Sequence, residues 1–160
     1  MQETDPGTHV GHVHLKVSNL ERSVRFYTDV LGLDVIDEWQ DAAFLSFGGY
    51  HHHIGLNTWE SRGGPAPARG TTGLYHVALL YPSRKALANA LKRLLEHGVR
   101  LDGASDHGVS EALYLHDPDG NGIELYRDRP RETWQRHPDG RPAMVTELLD
   151  LDALLREADA

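Results

Sequence analysis

The fold is decided by a stretch that occurs twice in the chain. Residues 10–17 read VGHVHLKV and are followed at 19–32 by NLERSVRFYTDVLG. Residues 74–81 read LYHVALLY and are followed at 83–98 by SRKALANALKRLLEHG. Each copy begins with a short apolar segment typical of a strand and continues as a helical pattern that ends at glycine. The sequence therefore predicts two half-size modules with the same order of elements.

A histidine stands near the start of each copy, His12 in the first and His76 in the second. Along the first strand, Val13 and Leu15 alternate with His12 and His14, so one face is apolar and the other carries imidazoles. A helix is expected on the apolar face. If the two copies pack about a two-fold axis, His12 and His76 converge, and this convergence is the functional hypothesis.

Five segments follow from the repeat and from the composition around its copies. They are a leader (1–8), a first module (9–59), a linker rich in glycine and proline (60–73), a second module (74–128) and a C-terminal extension with a short helix (129–160). Each module is predicted as a strand, a helix and three further strands. The fold class is therefore α+β, with paired βαβββ modules that form a curved mixed sheet around a cleft and carry their helices outside.

Composition excludes several classes of function. The 160 residues include 16 Lys and Arg against 24 Asp and Glu, a net charge of −8, and no basic block, so nucleic acid is disfavoured as a partner. Cysteine is absent, so a metal site must use histidine and carboxylate ligands. No apolar run approaches the length of a membrane span and no secretion signal is evident. We therefore expect a cytoplasmic protein without a membrane partner.

A third candidate ligand lies near the end of the second module. Alternation directs Ile123 and Leu125 towards the helix and Glu124 towards the face of His76. Together with His12, these side chains form two imidazoles and one carboxylate, a facial triad that favours Fe(II), although Mn, Zn, Co and Ni also accept such ligands. Each residue alone is more often a solvated surface residue. Their joint placement predicts a divalent metal in the cleft.

Three consecutive histidines occupy positions 51–53 of a further predicted strand. Alternation places His51 and His53 on one face and His52 on the other. Either this is a polar strand end, or His53 lies near the metal and carries protons, since imidazole titrates near neutral pH. The second interpretation is slightly favoured, because a phenolic substrate must lose a proton when it binds a metal.

Two more side chains are candidates for catalysis. Tyr114, on the strand before the turn at 117–122, either hydrogen-bonds a substrate or packs as an aromatic residue. His107, in a loop beside Gly108, either gates the site or is solvated. Neither a hydrolase triad pattern nor a glycine-rich phosphate loop is evident.

These motifs resemble the vicinal oxygen chelate superfamily, which contains glyoxalases, bleomycin-resistance proteins and extradiol dioxygenases. The resemblance covers about residues 9–128. It is carried by residues 12–17, 19–23, 26–27, 30–33, 75–78 and 117–125. Within the superfamily, the runs at 49–59 and 106–115 are similar to those of catechol 2,3-dioxygenases of the kind found in bacilli.

The resemblance implies a set of site residues and a fold of paired βαβββ modules around a metal cleft. The implied metal ligands are His12, His76 and Glu124, and the implied catalytic residues are His53, Tyr114 and His107. Glyoxalase I-like members carry a fourth ligand, a Glu, at the position of Gly55. The similar dioxygenases are usually about twice as long, with four modules where this chain has two.

The sequence thus predicts a non-haem Fe(II) extradiol dioxygenase that opens the ring of a small aromatic diol, of the catechol type, with O2. Three alternatives stay open. They are another metal-dependent enzyme of the superfamily (an isomerase, lyase or thiol transferase), a metal-free protein that binds an aromatic ligand or confers resistance, and a structural repeat without a site. A homodimer is expected, and the C-terminal extension is expected to pack on the body of the chain or on a partner subunit.

Overall fold

The computed structural model describes residues 5–160, and its internal contacts divide the chain into two units, Met1–Pro65 and Ala66–Ala160. The first four residues of the predicted leader lie outside the described residues. The border between the units falls within residues 60–73, the segment predicted as a linker. Each unit has its own sheet and its own buried apolar side chains.

The first unit contains a four-stranded mixed sheet and one helix. Its elements are β1 (Val13–Lys16), α1 (Leu20–Arg25), β2 (Asp34–Glu38), β3 (Ala42–Ser46) and β4 (Ile54–Asn57). The strand order is β1-β4-β3-β2, in which β1 and β4 are parallel and the other neighbours are antiparallel. The first strand of the module thus pairs with the last.

Local signals account for both ends of the helical segment. The side chain of Asn19 accepts a hydrogen bond from the backbone N–H of Arg22 and so caps α1. After α1 the backbone continues as a π-helical turn over Phe26–Val30. Gly32 then adopts a φ of +80°, a left-handed conformation that glycine reaches at little cost, and the segment ends there.

The alternation predicted for β1 is confirmed. Leu15 is buried, whereas His12, His14 and Lys16 are exposed. Full burial of a leucine side chain contributes about 1.5–3 kcal/mol. The apolar face of the strand is thereby held on the core, and the imidazole face remains available.

The second unit contains a five-stranded mixed sheet and two helices. Its elements are β5 (Val77–Leu80), α2 (Arg84–Glu96), β6 (Gly103–Asp106), β7 (Ser110–His116), β8 (Gly122–Asp128), β9 (Glu147–Leu148) and α3 (Leu151–Leu155). The strand order is β5-β8-β7-β6-β9, with β5 and β8 parallel and the other pairs antiparallel. A 3-10 turn, Arg131–Thr133, begins the extension.

The C-terminal extension packs on the second unit. Its strand β9 pairs with β6, and its helix α3 lies against α2. The last turn is tied to α2 by Asn89 Nδ2, which donates to Asp159 Oδ2 at 2.8 Å, and by an ion pair between Arg84 and Glu157. Of the two expected docking places, the extension uses the body of its own chain.

A buried carboxylate joins α2 to the sheet. The Glu111 side chain is 3% exposed and accepts hydrogen bonds from Arg84 Nε (2.9 Å), Arg127 Nε (2.8 Å) and Arg129 Nη2 (3.1 Å). Arg129 also pairs with Asp106. Burial raises the pKa of the Asp106 carboxyl, but the hydrogen bonds from Arg129 and from the backbone N–H of Gly108, together with the positive charges of Arg129 and Arg127, lower this pKa overall. One network therefore links α2, β6, β7 and β8.

The α+β class and the order strand, helix, three strands are confirmed in both modules. The strands lie in two open sheets, one in each unit, where the sequence predicts one curved sheet. In each βαβββ module the first strand pairs with the last, β1 with β4 and β5 with β8. Among residues 5–160, no helix combines the length and the apolarity that crossing a bilayer requires.

Candidate functional site

The sequence repeat is also a repeat of strand register. The paired positions are Val13–Ile54 and His14–Gly55 in the first unit, and Val77–Ile123 and Ala78–Glu124 in the second. His12 and His76 therefore hold the same place, directly before the first strand of their unit. Gly55 holds in the first unit the place that Glu124 holds in the second.

In the second unit, His76 and Glu124 face each other. His76 Nε2 lies 2.9 Å from Glu124 Oε2, because the parallel pairing of β5 with β8 brings these positions side by side. The Glu124 side chain is 13% exposed. His76 Nδ1 is buried and has no hydrogen-bond partner within residues 5–160. One nitrogen donor and one oxygen donor thus converge.

Tyr114 lies beside this pair. It stands opposite Glu124 in the antiparallel pairing of β7 with β8, and its hydroxyl is 3.4 Å from Glu124 Oε1. Burial, and then the negative charge of Glu124, raise the pKa of the Tyr114 phenol. The phenol therefore keeps its proton and remains a hydrogen-bond donor at neutral pH.

The Tyr114 hydroxyl also contacts His107, whose Nε2 lies 2.8 Å from it. His107 Nδ1 lies 2.9 Å from the carbonyl oxygen of Val145, which can only accept, so Nδ1 carries a proton. In the neutral ring Nε2 is then an acceptor for the Tyr114 hydroxyl. Nothing in the sequence pattern links the extension to His107, so this contact with Val145 was not predictable.

In the first unit, the ring that contacts His12 belongs to His52. The two ring centroids lie 4.3 Å apart, and His51 Nδ1 is 2.8 Å from His52 Nδ1. Burial, and then the neighbouring imidazoles of His12 and His51, lower the pKa of His52. This crowding favours the neutral form of the His52 ring, which is the form that binds metals and accepts protons.

His53 is anchored differently from its two neighbours. Strand β4 begins only at Ile54, so the alternation predicted for 51–53 does not apply to a regular strand. His53 Nδ1 accepts a hydrogen bond from the backbone N–H of Phe47 at 3.2 Å and lies 3.1 Å from Ser46 Oγ. The proton of the neutral ring is therefore on Nε2. That nitrogen is the one available to exchange a proton with a ligand.

Gly55 leaves room for an aromatic ring where the second unit has a carboxylate. A Cβ at this position would lie 2.8 Å from His14 Nδ1 and 2.9 Å from His14 Cγ. The His14 ring, which also packs on Trp59, therefore fills the space over Gly55. The first unit offers no acidic ligand at the place equivalent to Glu124.

A cavity of about 730 Å³ opens in the second unit. Its lining includes His76, Tyr114 and His107, three of the residues that the sequence predicts for the site. It also includes Arg69 and Thr146, which sequence reasoning missed, since an arginine in a linker and a threonine in a tail carry no motif. His76, Tyr114 and His107 therefore share one concave surface.

Gly122 is required where β8 begins. A Cβ on this residue would lie far inside van der Waals contact with the carbonyl oxygen of Tyr75, and 3.1 Å from His76 Cβ. The absence of a side chain lets the backbone before β5 approach β8 closely. This approach positions His76 against Glu124.

Replacing Gly122 with Ala is therefore expected to destabilise the second unit by about 1–3 kcal/mol, the usual cost of overpacking. It is also expected to separate His76 from Glu124, because the backbone before His76 must move. Urea unfolding measures the first effect, and retention of a divalent metal measures the second. Gly103→Ala is the control, since a Cβ there meets nothing closer than Tyr114 Cδ2 at 3.9 Å. Equal losses in both variants would contradict this role of Gly122.

A model of the Glyoxalase/Bleomycin resistance protein/Dioxygenase superfamily matches residues 9–125. The chain belongs to this superfamily. A catechol-2,3-dioxygenase of Bacillus subtilis (strain 168) is 48% identical over 151 residues, which cover 94% of this chain and 52% of that protein. Biphenyl-2,3-diol 1,2-dioxygenase 3 of Rhodococcus globerulus is 33% identical over 119 residues, 74% of this chain and 63% of that protein.

This chain thus spans about half the length of the Bacillus subtilis relative and under two thirds of the length of the Rhodococcus globerulus relative. Because the first alignment covers 94% of the chain, it includes most of the segment after Asp128. The superfamily model ends at residue 125, in agreement with the resemblance over about residues 9–128, whereas this alignment continues into the extension. The extension has a counterpart in that relative.

Solved structures of the superfamily share the fold. A glyoxalase/dioxygenase from Nostoc punctiforme superposes with a TM-score of 0.63 at 22% identity, over 81% of this chain and 99% of that one. A glyoxylase/bleomycin resistance protein/dioxygenase domain from Frankia sp. EAN1pec gives 0.64 at 24% identity, over 76% and 98%. These likenesses concern the fold alone.

The superfamily implies a divalent metal, and the donors of the second unit fit one. The imidazole of His76 and the carboxylate of Glu124 already face each other, and these donor types suit Fe(II), Mn, Co, Ni and Zn. Within residues 5–160, no group of three or more His, Cys, Asp and Glu side chains is arranged to hold a metal. The structure brings together His76 and Glu124, two of the three predicted ligands, and all three ligands stay predictions.

Proposed function

We propose that the chain is an extradiol ring-cleaving dioxygenase that acts on a catechol-type aromatic diol with O2. The observation that carries this function is the convergence of His76, Glu124, Tyr114 and His107 in the second unit. The names of the two dioxygenase relatives support the same reaction class. The place of Glu124 in the second unit is taken by Gly55 in the first, which speaks against a four-ligand site of the glyoxalase I kind.

His76 and Glu124 would hold the metal, with His12 as a third ligand on the strength of the resemblance. When bound, Fe(II) supplies adjacent open positions at which a diol and dioxygen can react together. Tyr114 and His107 line the cavity beside the ligands. The Tyr114 hydroxyl donates to His107 Nε2 or to Glu124 Oε1, so it can orient a diol oxygen and hold a proton close to it. We propose that His53 carries protons at Nε2.

The decisive experiment is anaerobic loading with Fe(II), followed by removal of free iron and addition of a panel of catechols and O2. We expect oxygen consumption together with a yellow, ring-opened product. An enzyme of another kind within the superfamily would instead retain Zn or Ni and consume no oxygen. Failure of every catechol to cause oxygen uptake in the iron-loaded protein would contradict the dioxygenase assignment and leave the fold untouched.

The third ligand is tested with a matched pair of variants. His12→Ala is expected to lose iron and oxygen uptake, while His14→Ala, two positions along the same exposed face, is expected to keep both. Iron content measured after gel filtration separates the two. Unchanged iron in His12→Ala would remove His12 from the proposed ligands.

A further inference from the structure

The wall of the cavity carries a charge that the residues proposed for catalysis do not use. Arg69 lines the cavity together with His76 and Tyr114. Its side chain forms no hydrogen bond or ion pair with any residue in the range 5–160. A guanidinium is always ionised and presents its donors in a fixed planar fork that matches a carboxylate. Arg69 is thus an exposed cation at the wall of the cavity, without a protein partner among residues 5–160.

The backbone around Arg69 is held by local hydrogen bonds. The N–H of Thr71 donates to the carbonyl of Ala68 at 3.4 Å, and the Thr71 hydroxyl donates to the same oxygen at 2.9 Å. Gly70 has a φ of +82°, as the third residue of a type II turn requires. Arg69 is the second residue of this turn, a position from which a side chain projects outward.

None of the other charged side chains that the structure describes in the cavity wall forms an ion pair with Arg69. The carboxylate of Asp102 also lines the cavity, but it is engaged by His116 Nδ1. The remaining titratable side chains of the lining are those of His76, His107, His116, Tyr75 and Tyr114. Because the whole chain carries a net charge of −8, an anionic ligand is repelled at long range. The guanidinium of Arg69 at the cavity wall offsets this repulsion locally.

The cavity is also larger than a bare catechol needs. Its volume of about 730 Å³ lies within the ~300–1,000 Å³ of pockets that hold drug-sized ligands. Leu74, Leu115 and Ile123 supply apolar wall for an aromatic ring. This volume therefore accommodates a substituted aromatic ring in a cavity lined by both His76 and Arg69.

We propose that Arg69 forms an anion-binding subsite in this cavity, and that the substrate is an aromatic diol that carries a carboxylate substituent. This subsite rests on the proposed function for its diol, while the recognition of the carboxylate depends only on Arg69. The two oxygens of the carboxylate accept hydrogen bonds from the guanidinium, and the diol end of the ring lies towards His76 and Glu124. Arg69 is thus a specificity-determining residue.

Binding without turnover tests the subsite. The affinities of the iron-loaded protein for 3,4-dihydroxyphenylacetate and for the corresponding neutral amide are measured by calorimetry in the absence of O2. We expect the acid to bind about tenfold more tightly than the amide, a factor that corresponds to 1.4 kcal/mol. This preference is expected to shrink at high ionic strength, since part of the site is exposed.

Matched variants decide whether Arg69 is responsible. Arg69→Gln is expected to abolish the preference for the acid, and Arg69→Lys to keep part of it. Arg100→Gln is the control, because Arg100 also has no partner within residues 5–160 but does not line the cavity. An unchanged preference in Arg69→Gln, equal affinities for acid and amide, or binding of neither probe each overturns the subsite.

The same measurements test the subsite and the dioxygenase assignment independently of each other. If the preference for the acid depends on Arg69 while no catechol is cleaved, the subsite stands and the reaction class fails. If catechol is cleaved but acid and amide bind alike, the reaction class stands and the subsite fails.

Discussion

Replacing Glu124 with Gln is expected to lower metal affinity by more than about 100-fold, since even residues that only support a metal ligand are worth 10–100-fold. The amide keeps the size of the side chain but removes the negative charge and one acceptor oxygen. His76 Nε2 then faces a neutral group, and the Tyr114 hydroxyl loses its anionic partner. Oxygen uptake with catechol is expected to fall to background in the same variant.

Metal titration and the thermal midpoint are measured together, so that loss of binding is separated from loss of the fold. Asp102→Asn is the matched control, because Asp102 is a carboxylate that lines the cavity together with His76 and is already paired with His116. The control is expected to retain metal. If Glu124→Gln binds metal as tightly as Asp102→Asn does, Glu124 is not a ligand.

Replacing Glu111 with Gln is expected to lower the free energy of unfolding by about 3–5 kcal/mol, the usual cost of removing one partner from a buried ion pair. Three guanidiniums, those of Arg84, Arg127 and Arg129, converge on this carboxylate. Without its charge they repel one another in a poorly solvated place. Glutamine has nearly the same volume, so the loss does not come from a cavity. Urea denaturation followed by circular dichroism measures it.

Glu157→Gln provides the comparison for Glu111. Glu157 pairs with the same Arg84, but its side chain is 43% exposed. Exposed ion pairs contribute at most about 1 kcal/mol, so this variant is expected to unfold nearly as the parent does. Similar losses in Glu111→Gln and Glu157→Gln would show that burial does not set the strength of this network.

Much of the fold was predictable because its signals are local. The alternation in β1 and the glycine stops at Gly32 and Gly98 are properties of short segments, and both occur as predicted. The repeat also indicated the strand register, because two copies with the same spacing place equivalent residues at equivalent positions of their sheets. This explains why the contact between His76 and Glu124, 48 positions apart in the sequence, was predictable.

The contacts that were not predictable depend on irregular backbone. Period-two alternation fails at 51–53 because β4 starts only at Ile54, so the sequence could not show that His52 and not His53 meets His12. The hydrogen bond from His107 to Val145 joins a loop to the extension, and the place of Arg69 depends on a turn in the linker. Such contacts are set by tertiary packing, which no periodic pattern records.

The pairing of β9 with β6 has a consequence for self-association. A long, flat and open strand edge presents unpaired N–H and C=O groups that can template a strand of another chain and so promote aggregation. At this side of the second unit, the sheet ends in the two residues Glu147 and Leu148, which cover Ser105 and Asp106. An edge strand of two residues presents few free N–H and C=O groups to a strand of another chain. The extension therefore protects this edge of the sheet, in addition to holding His107.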